Sequence, residues 1–245
     1  MISNYNDFSV MLGSSFLQYL PILICEISEK VVCYYASWAV YRPGNGRMEI
    51  SDIDPTLCTH LIYSFVGIIR DGIKINDPWA DLPDGGGKNG FNKFIKLKNR
   101  NPNAKILVGV GGWNERSEKF SSMASDPGRR QQFVENAVNF LKKFGFDGLD
   151  MDWEYPAHPG QGGVPADKQN FVELLKDLRQ SFDQEDLLLT AAVGVSEETA
   201  KAGYDIPQIS KYLDFINLMT YDYAGGWSSA TGLNSPLSQI VSFHL

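Results

Sequence analysis

Six short β-rich runs, spaced by helix-length segments, constrain this chain more than anything else in its sequence. They are Val31 to Trp38, His60 to Ile69, Lys105 to Gly109, Gly148 to Tyr155, Leu187 to Val193 and Phe215 to Tyr221. Strands that alternate with helices pair in parallel, because each crossover must carry the chain back to the starting edge. Two of the intervening segments have clear helical periodicity. Phe133, Ala137, Phe140, Leu141 and Phe144 share one face of the segment 127–144, with Gly145 as a stop, and Phe171, Leu174, Leu175, Leu178 and Phe182 repeat the pattern. A Pro- and Gly-rich surface loop is expected from Asp77 to Gly90, followed by a helix from Phe91 to Arg100. This order suits either a doubly wound sheet or a barrel of the (β/α)₈ type.

The third run leads into Gly109-Val110-Gly111-Gly112, which raises the question of a nucleotide site. The spacing is not GxGxxG, and Trp113 stands where a phosphate loop needs a small residue.

The fourth run carries the chemistry. Asp150, Asp152 and Glu154 occupy alternate positions, so on a strand their side chains share one face. Leu149, Met151 and Trp153 take the other face, which suits packing against helices. Three carboxyls this close cannot all stay ionised in a poorly solvated site, so at least one proton is retained. An acid held protonated near neutrality is what cleavage of a glycosidic bond requires. Glu154 is the last of the three, nearest the strand's carboxyl end, where barrel active sites lie. Asp147 is out of phase with the others and is read as structural, in the turn entering the strand.

Composition narrows the alternatives. The 245 residues carry a net charge of −7 and no basic cluster, which argues against nucleic-acid binding. Three cysteines (Cys25, Cys33, Cys58) and three scattered histidines offer no metal-ligand spacing and no Ser-His-Asp arrangement, so neither metal nor cofactor is expected. Phe8 to Cys25 lacks charge and contains the apolar run Tyr19 to Ile24. Residues 1–25 therefore read as a signal peptide cleaved near Cys25, or as a non-native leader, ahead of a folded domain over 26–245. Small and polar residues within that run argue against a permanent membrane span. A secreted, extracellular monomer is expected.

Asp147-Gly148-Leu149-Asp150-Met151-Asp152-Trp153-Glu154 resembles the signature of the family 18 glycoside hydrolases, the chitinases. Val32 to Trp38 resembles that family's first strand, Leu61 to Phe65 its second, Val110 to Trp113 the end of its third, and Asn217 to Asp222 its sixth. The resemblance implies a (β/α)₈ TIM barrel and retaining hydrolysis of β-1,4-linked N-acetylglucosamine polymers. In that chemistry the substrate's own acetamido oxygen is the nucleophile, an exception to the two-carboxylate scheme. It implies Glu154 as acid/base, Asp152 as the anion beside the developing oxazolinium, Asp150 as its proton-sharing partner, and Tyr221 as the donor that orients the acetamido oxygen. Trp113, Met219, Asp222, Tyr34 and Phe65 match residues that line the sugar cleft. Cys33 and Cys58 match a disulfide near the first two strands. The implied partner is chitin or an N-acetylchitooligosaccharide.

The pattern runs to about Leu237, before a seventh and eighth strand, so an incomplete barrel of about six strands is expected. The alternatives are a catalytically impaired short form and a chitin-binding lectin of the chitinase-like type.

Overall fold

The computed structural model describes residues 30–236. The expected leader, with Cys25, lies outside the described residues. The chain runs β1 (Val32–Ala36), β2 (His60–Ile69), β3 (Gly72–Lys74), α1 (Pro78–Asp81), α2 (Gly90–Ile95), β4 (Lys105–Gly111), α3 (Glu118–Ala124), α4 (Pro127–Phe144), β5 (Gly148–Asp152), α5 (Asp167–Phe182), β6 (Leu188–Val193), α6 (Glu197–Gly203), α7 (Ile206–Ile209) and β7 (Phe215–Leu218). Six strands pair in parallel in the order β1-β2-β4-β5-β6-β7. Strand order follows chain order without reversal, as in a barrel; a doubly wound sheet would reverse at a switch point.

One hydrogen bond shows how strongly the sheet curls. Neighbouring strands lie about 4.8 Å apart, so in a flat sheet β1 and β5, three steps apart, would be about 14 Å from each other. Yet the Tyr34 phenol on β1 donates to Asp150 on β5 at 2.8 Å. The sheet is a curved shell with these side chains on its concave face.

The convex face is the core. Leu61, Tyr63, Ile106, Val108, Leu149, Met151 and Leu189 pack there against Phe94, Phe133, Leu141, Phe171 and Leu178 from the helices. Asp126 starts α4 by accepting from the Arg129 N–H at 2.9 Å, and Gly145 ends it with φ of 82°.

Several boundaries differ from the sequence expectation. The first strand ends at Ala36 and turns through a 3₁₀ segment, Ser37–Tyr41. The fourth expected strand stops at Asp152, leaving Glu154 just beyond it, and the sixth stops at Leu218. The helix expected over Phe91 to Arg100 is α-helical only over Gly90–Ile95, then 3₁₀ over Lys96–Asn99. β3 was not anticipated; three residues fold back antiparallel on β2, too few to show a period of two.

The loop expected from Asp77 to Gly90 contains the helical turn α1, which buries a carboxyl. Asp81 is 2% exposed and accepts from the Tyr63 phenol at 2.5 Å. Burial pushes Asp81 up to about 6, against the pull of the Tyr63 hydrogen bond. The folded state therefore binds this proton more tightly than the unfolded chain. The resulting stabilisation is complete below about pH 4 and is lost as pH rises through the folded value. We expect Asp81→Asn, which keeps an acceptor for Tyr63, to gain thermal stability relative to the parent as pH rises from about 4 to 7. Parallel melting curves across that range check this, and a constant offset would contradict it.

Candidate active site

The site lies on the concave face, at the carboxyl ends of the strands. Asp150, in the middle of β5, has no solvent exposure. Its Oδ2 accepts from the Tyr34 phenol, and its Oδ1 accepts from the Thr190 hydroxyl at 2.5 Å and the Asn217 amide at 3.1 Å. Burial pushes this carboxyl above the usual carboxylate range, opposed by the three donors.

Asp152 is 3% exposed, and its Oδ1 has no hydrogen-bond partner among the described residues. Burial pushes Asp152 well above its ordinary value, with further repulsion from Glu154 and then Asp150. Glu154 is also buried and pushed up, first by burial; the nearby Tyr155 hydroxyl pulls it back in part, and Asp222 adds repulsion. Such a row keeps its protons to higher pH than isolated carboxyls would.

The alternation within β5 explains why the row is possible. Leu149, Met151 and Trp153 are fully buried on the convex side, and Trp153 stacks on Phe120 at 5.1 Å and meets Phe171 edge-on at 5.7 Å. These contacts fix the strand register, which sends the three carboxyls the other way. Gly111 permits the close approach of β4. It has φ of 113°, and a Cβ there would overlap the Asp152 carbonyl. The Gly112 N–H donates to that same carbonyl at 2.8 Å.

The remaining predicted residues fall into two groups. Tyr34 and Tyr221 reach the acid row. The Tyr221 phenol is pushed up to about 12 by burial and by the charges of Asp152 and Glu154, so it stays a hydrogen-bond donor. Met219 is buried, its N–H donating to the Val193 carbonyl at 3.1 Å. Asp222 is exposed, with φ of 62°, and accepts from the Asn234 amide at 3.0 Å. Phe65 stacks on Trp38 at 6.0 Å, and Trp113, 59% exposed, meets Tyr155 edge-on at 6.5 Å. Asp147 lies away from this group, at the amino end of β5, where it accepts from the Ile106 N–H at 2.7 Å and from Lys98 at 2.5 Å. Cys33 and Cys58 form a disulfide that ties β1 to the segment entering β2.

Sequence reasoning assigned no role to Thr190, Asn217 or Trp38. A signal existed for the first two: each is a polar residue inside an otherwise apolar strand, where an unpaired polar group is costly. Trp38, 46% exposed, lies two residues past β1 in the 3₁₀ segment and carried no such mark.

Comparison with known proteins agrees with this geometry. The model of the glycosyl hydrolases family 18 matches residues 30–244, past the point at Leu237 where the pattern was expected to end. A probable chitinase 2 of Drosophila melanogaster is 46% identical over 85% of this chain and 43% of its own length. An endochitinase of Manduca sexta is 42% identical over 85% of this chain and 38% of its own length. The crystal structure of an Ostrinia furnacalis Group IV chitinase in complex with allosamidin superimposes with a TM-score of 0.80 at 45% identity, covering 85% of this chain and 55% of that one. The chain thus spans about two fifths of the curated relatives' length. With the family match running over most of its residues, the chain belongs to the glycosyl hydrolases of family 18.

Proposed function

We propose that this protein hydrolyses β-1,4-linked N-acetylglucosamine polymers with retention of configuration, through substrate assistance. The observation that carries the reading is the row of three buried carboxyls, each pushed upward, with one oxygen of the middle carboxyl left without a partner among the described residues. In this reading Glu154 delivers its proton to the glycosidic oxygen as the bond from that oxygen to the anomeric carbon breaks. The acetamido oxygen of the same sugar closes on the anomeric carbon, giving an oxazolinium ion. Asp152 is the anion beside the acetamido nitrogen, where positive charge develops. Asp150, held by Tyr34, Thr190 and Asn217, shares a proton with Asp152 and keeps it oriented. Tyr221 donates to the acetamido oxygen. Glu154, now ionised, takes a proton from water; the hydroxide adds to the anomeric carbon, the ring opens, and the original configuration returns. Trp113, Phe65, Met219 and Asp222 line the sugar site. The protein is read as secreted and monomeric; among the described residues no helix is long and apolar enough to cross a membrane.

The test is release of product from an N-acetylchitooligosaccharide, with the anomer followed by NMR. Initial formation of the β-anomer supports the reading. Tight binding without product would replace it with a lectin-type function, and an initial α-anomer would reject the mechanism.

A second measurement addresses the acid itself. Asp222 repels the Glu154 carboxylate, so Asp222→Asn should ease loss of the Glu154 proton. The basic limb of the pH–kcat profile is then expected at lower pH than in the parent, since activity needs Glu154 protonated. An unmoved or upward-moving limb would contradict this.

A further inference from the structure

The two residues that flank Glu154, one through its side chain and the other through its backbone, are tied to the helix layer by a single hydroxyl. The Trp153 indole N–H donates to Ser117 Oγ at 2.9 Å, and the Ser117 hydroxyl donates to the Tyr155 carbonyl at 2.6 Å. One accepted and one donated hydrogen bond make the hydroxyl a bridge from residue 153 to residue 155. Ser117 is fully buried, so water does not compete.

Its position makes this use of a serine informative. Ser117 immediately precedes α3, where a serine side chain ordinarily accepts from an N–H of the first helical turn and stabilises the helix. Asp126 and Ser196 do this at α4 and α6. The Ser117 side chain makes no such bond to its own helix. Its backbone is anchored instead: its N–H donates to the Gln161 carbonyl at 2.9 Å, and its carbonyl accepts from the Ser121 N–H at 2.8 Å.

Glu154 needs outside support because the sheet no longer provides it. The parallel pairing of β5 ends at Asp152 opposite Gly111, two residues before the acid. Beyond that point, among the described residues, the Tyr155 carbonyl has only the Ser117 hydroxyl and the His158 N–H, at 3.2 Å. Trp153 is clamped between Phe120 and Phe171, so its N–H presents a fixed donor to Ser117.

We propose that Ser117 is a positioning residue for the acid, its hydroxyl bridge between Trp153 and Tyr155 fixing the stretch of backbone that carries the Glu154 side chain. The inference rests on the reading of Glu154 as the proton donor. Losing the bridge leaves a buried indole N–H unpaired and frees the backbone around the acid. A displacement of order 1 Å at a reacting group costs about 10²-fold in rate. It also admits water to Glu154, which relaxes toward an ordinary carboxyl. The groups facing Glu154 stay in place: Asp152 and Tyr155 from its own segment, Tyr221 and Asp222 after β7, and Tyr204 ahead of α7.

The experiment compares Ser117→Ala and Ser117→Thr with the parent in the full-length protein, on N-acetylchitotetraose, whose sugar leaving group needs the acid's proton, well below the melting temperature. Ser117→Ala is expected to lower kcat by about 10- to 100-fold with KM within about 3-fold, and to move the basic limb to lower pH. Ser117→Thr, which keeps the hydroxyl, is expected to recover kcat to within about 3-fold of the parent. Should the alanine variant not fold, Ser117→Cys fills the same space with a much weaker hydrogen bonder and carries the same expectation. Unchanged kcat and pH profile with a lowered melting temperature would make Ser117 merely structural and overturn the proposal. Equal losses in the Thr and Ala variants would also overturn it, since the hydroxyl would then not be what matters. Titration of the Glu154 carboxyl by ¹³C NMR needs no turnover. If the parent releases no product, the functional reading fails, yet a downward-shifted titration in the alanine variant still supports the positioning role and an unshifted one rejects it.

Discussion

Replacing Glu154 by Gln is expected to lower kcat on N-acetylchitooligosaccharides by about 10³-fold or more, while binding of the same oligosaccharide changes by less than about 3-fold. Gln keeps the shape of the side chain and an acceptor for the neighbouring Tyr155 hydroxyl, but it has no proton to give to the leaving oxygen. General acid catalysis is worth about 10² to 10⁴ in rate, and a sugar hydroxyl is a poor leaving group, which places the effect toward the upper end. The pH dependence supplies an independent mark. In the parent the basic limb reports loss of the Glu154 proton, whose release burial and Asp222 both delay. In the Gln variant any residual rate should lack that limb, because the titrating group is gone. Steady-state kinetics across pH, with calorimetric binding of the oligosaccharide, checks both. Near-normal turnover in the variant would move the acid to another residue.

Asp152→Asn is expected to separate activity from stability. The substitution removes the anion placed beside the developing oxazolinium, and loss of one preorganised electrostatic contact of this kind costs about 10² to 10³ in kcat. The fold should nevertheless become more stable near neutrality. Asp152 is almost fully buried between two other carboxyls and has an oxygen without a partner among the described residues. Its folded-state value is raised, so the stabilisation from holding its proton is complete below its unfolded value of about 4 and is lost as pH rises through the folded one. Asn is uncharged at every pH and offers an N–H₂ to the flanking carboxylates. A melting temperature above the parent's at pH 7, with the difference shrinking toward pH 4, is the expected outcome. A lower melting temperature at neutral pH would mean that the Asp152 carboxylate is stabilised by contacts that its surroundings do not suggest. The combination of lost rate and gained stability is what a site assembled against its own electrostatic preference should give.

The same tension runs through the barrel interior. Asp150 is as deeply buried as any apolar core residue, yet Tyr34, Thr190 and Asn217 surround it with donors from three other strands. Asp81, on the outer side of the sheet, has one phenol as donor and is also pushed upward. The difference in use follows from position. Asp150 touches the row that opens at the carboxyl ends of the strands, whereas Asp81 joins α1 to the core and faces no cleft residue.

How much of this was legible in the sequence depends on the distance over which each fact is set. The face of the sheet taken by Asp150, Asp152 and Glu154 was readable, because strand side chains alternate with a period of two and Leu149, Met151 and Trp153 fix the phase within eight residues. The parallel pairing was readable from the alternation of strand and helix runs, and the family from the motif around Glu154. The hairpin strand β3 and the early end of β5 were not readable, since short elements are decided by the neighbours they pair with. Nor was the set of groups that tune the acids. Tyr34, Thr190 and Asn217 stand 116, 40 and 67 residues from Asp150 and meet it only because the sheet curls. Ser117 reads in sequence as an ordinary helix start, and only packing brings its hydroxyl against Trp153 and Tyr155, some 36 and 38 residues away. The local period of the backbone sets which way a side chain points. How strongly it holds a proton depends on burial and on partners that the chain brings in from far along its length, and those come together only once the sheet has curled around them.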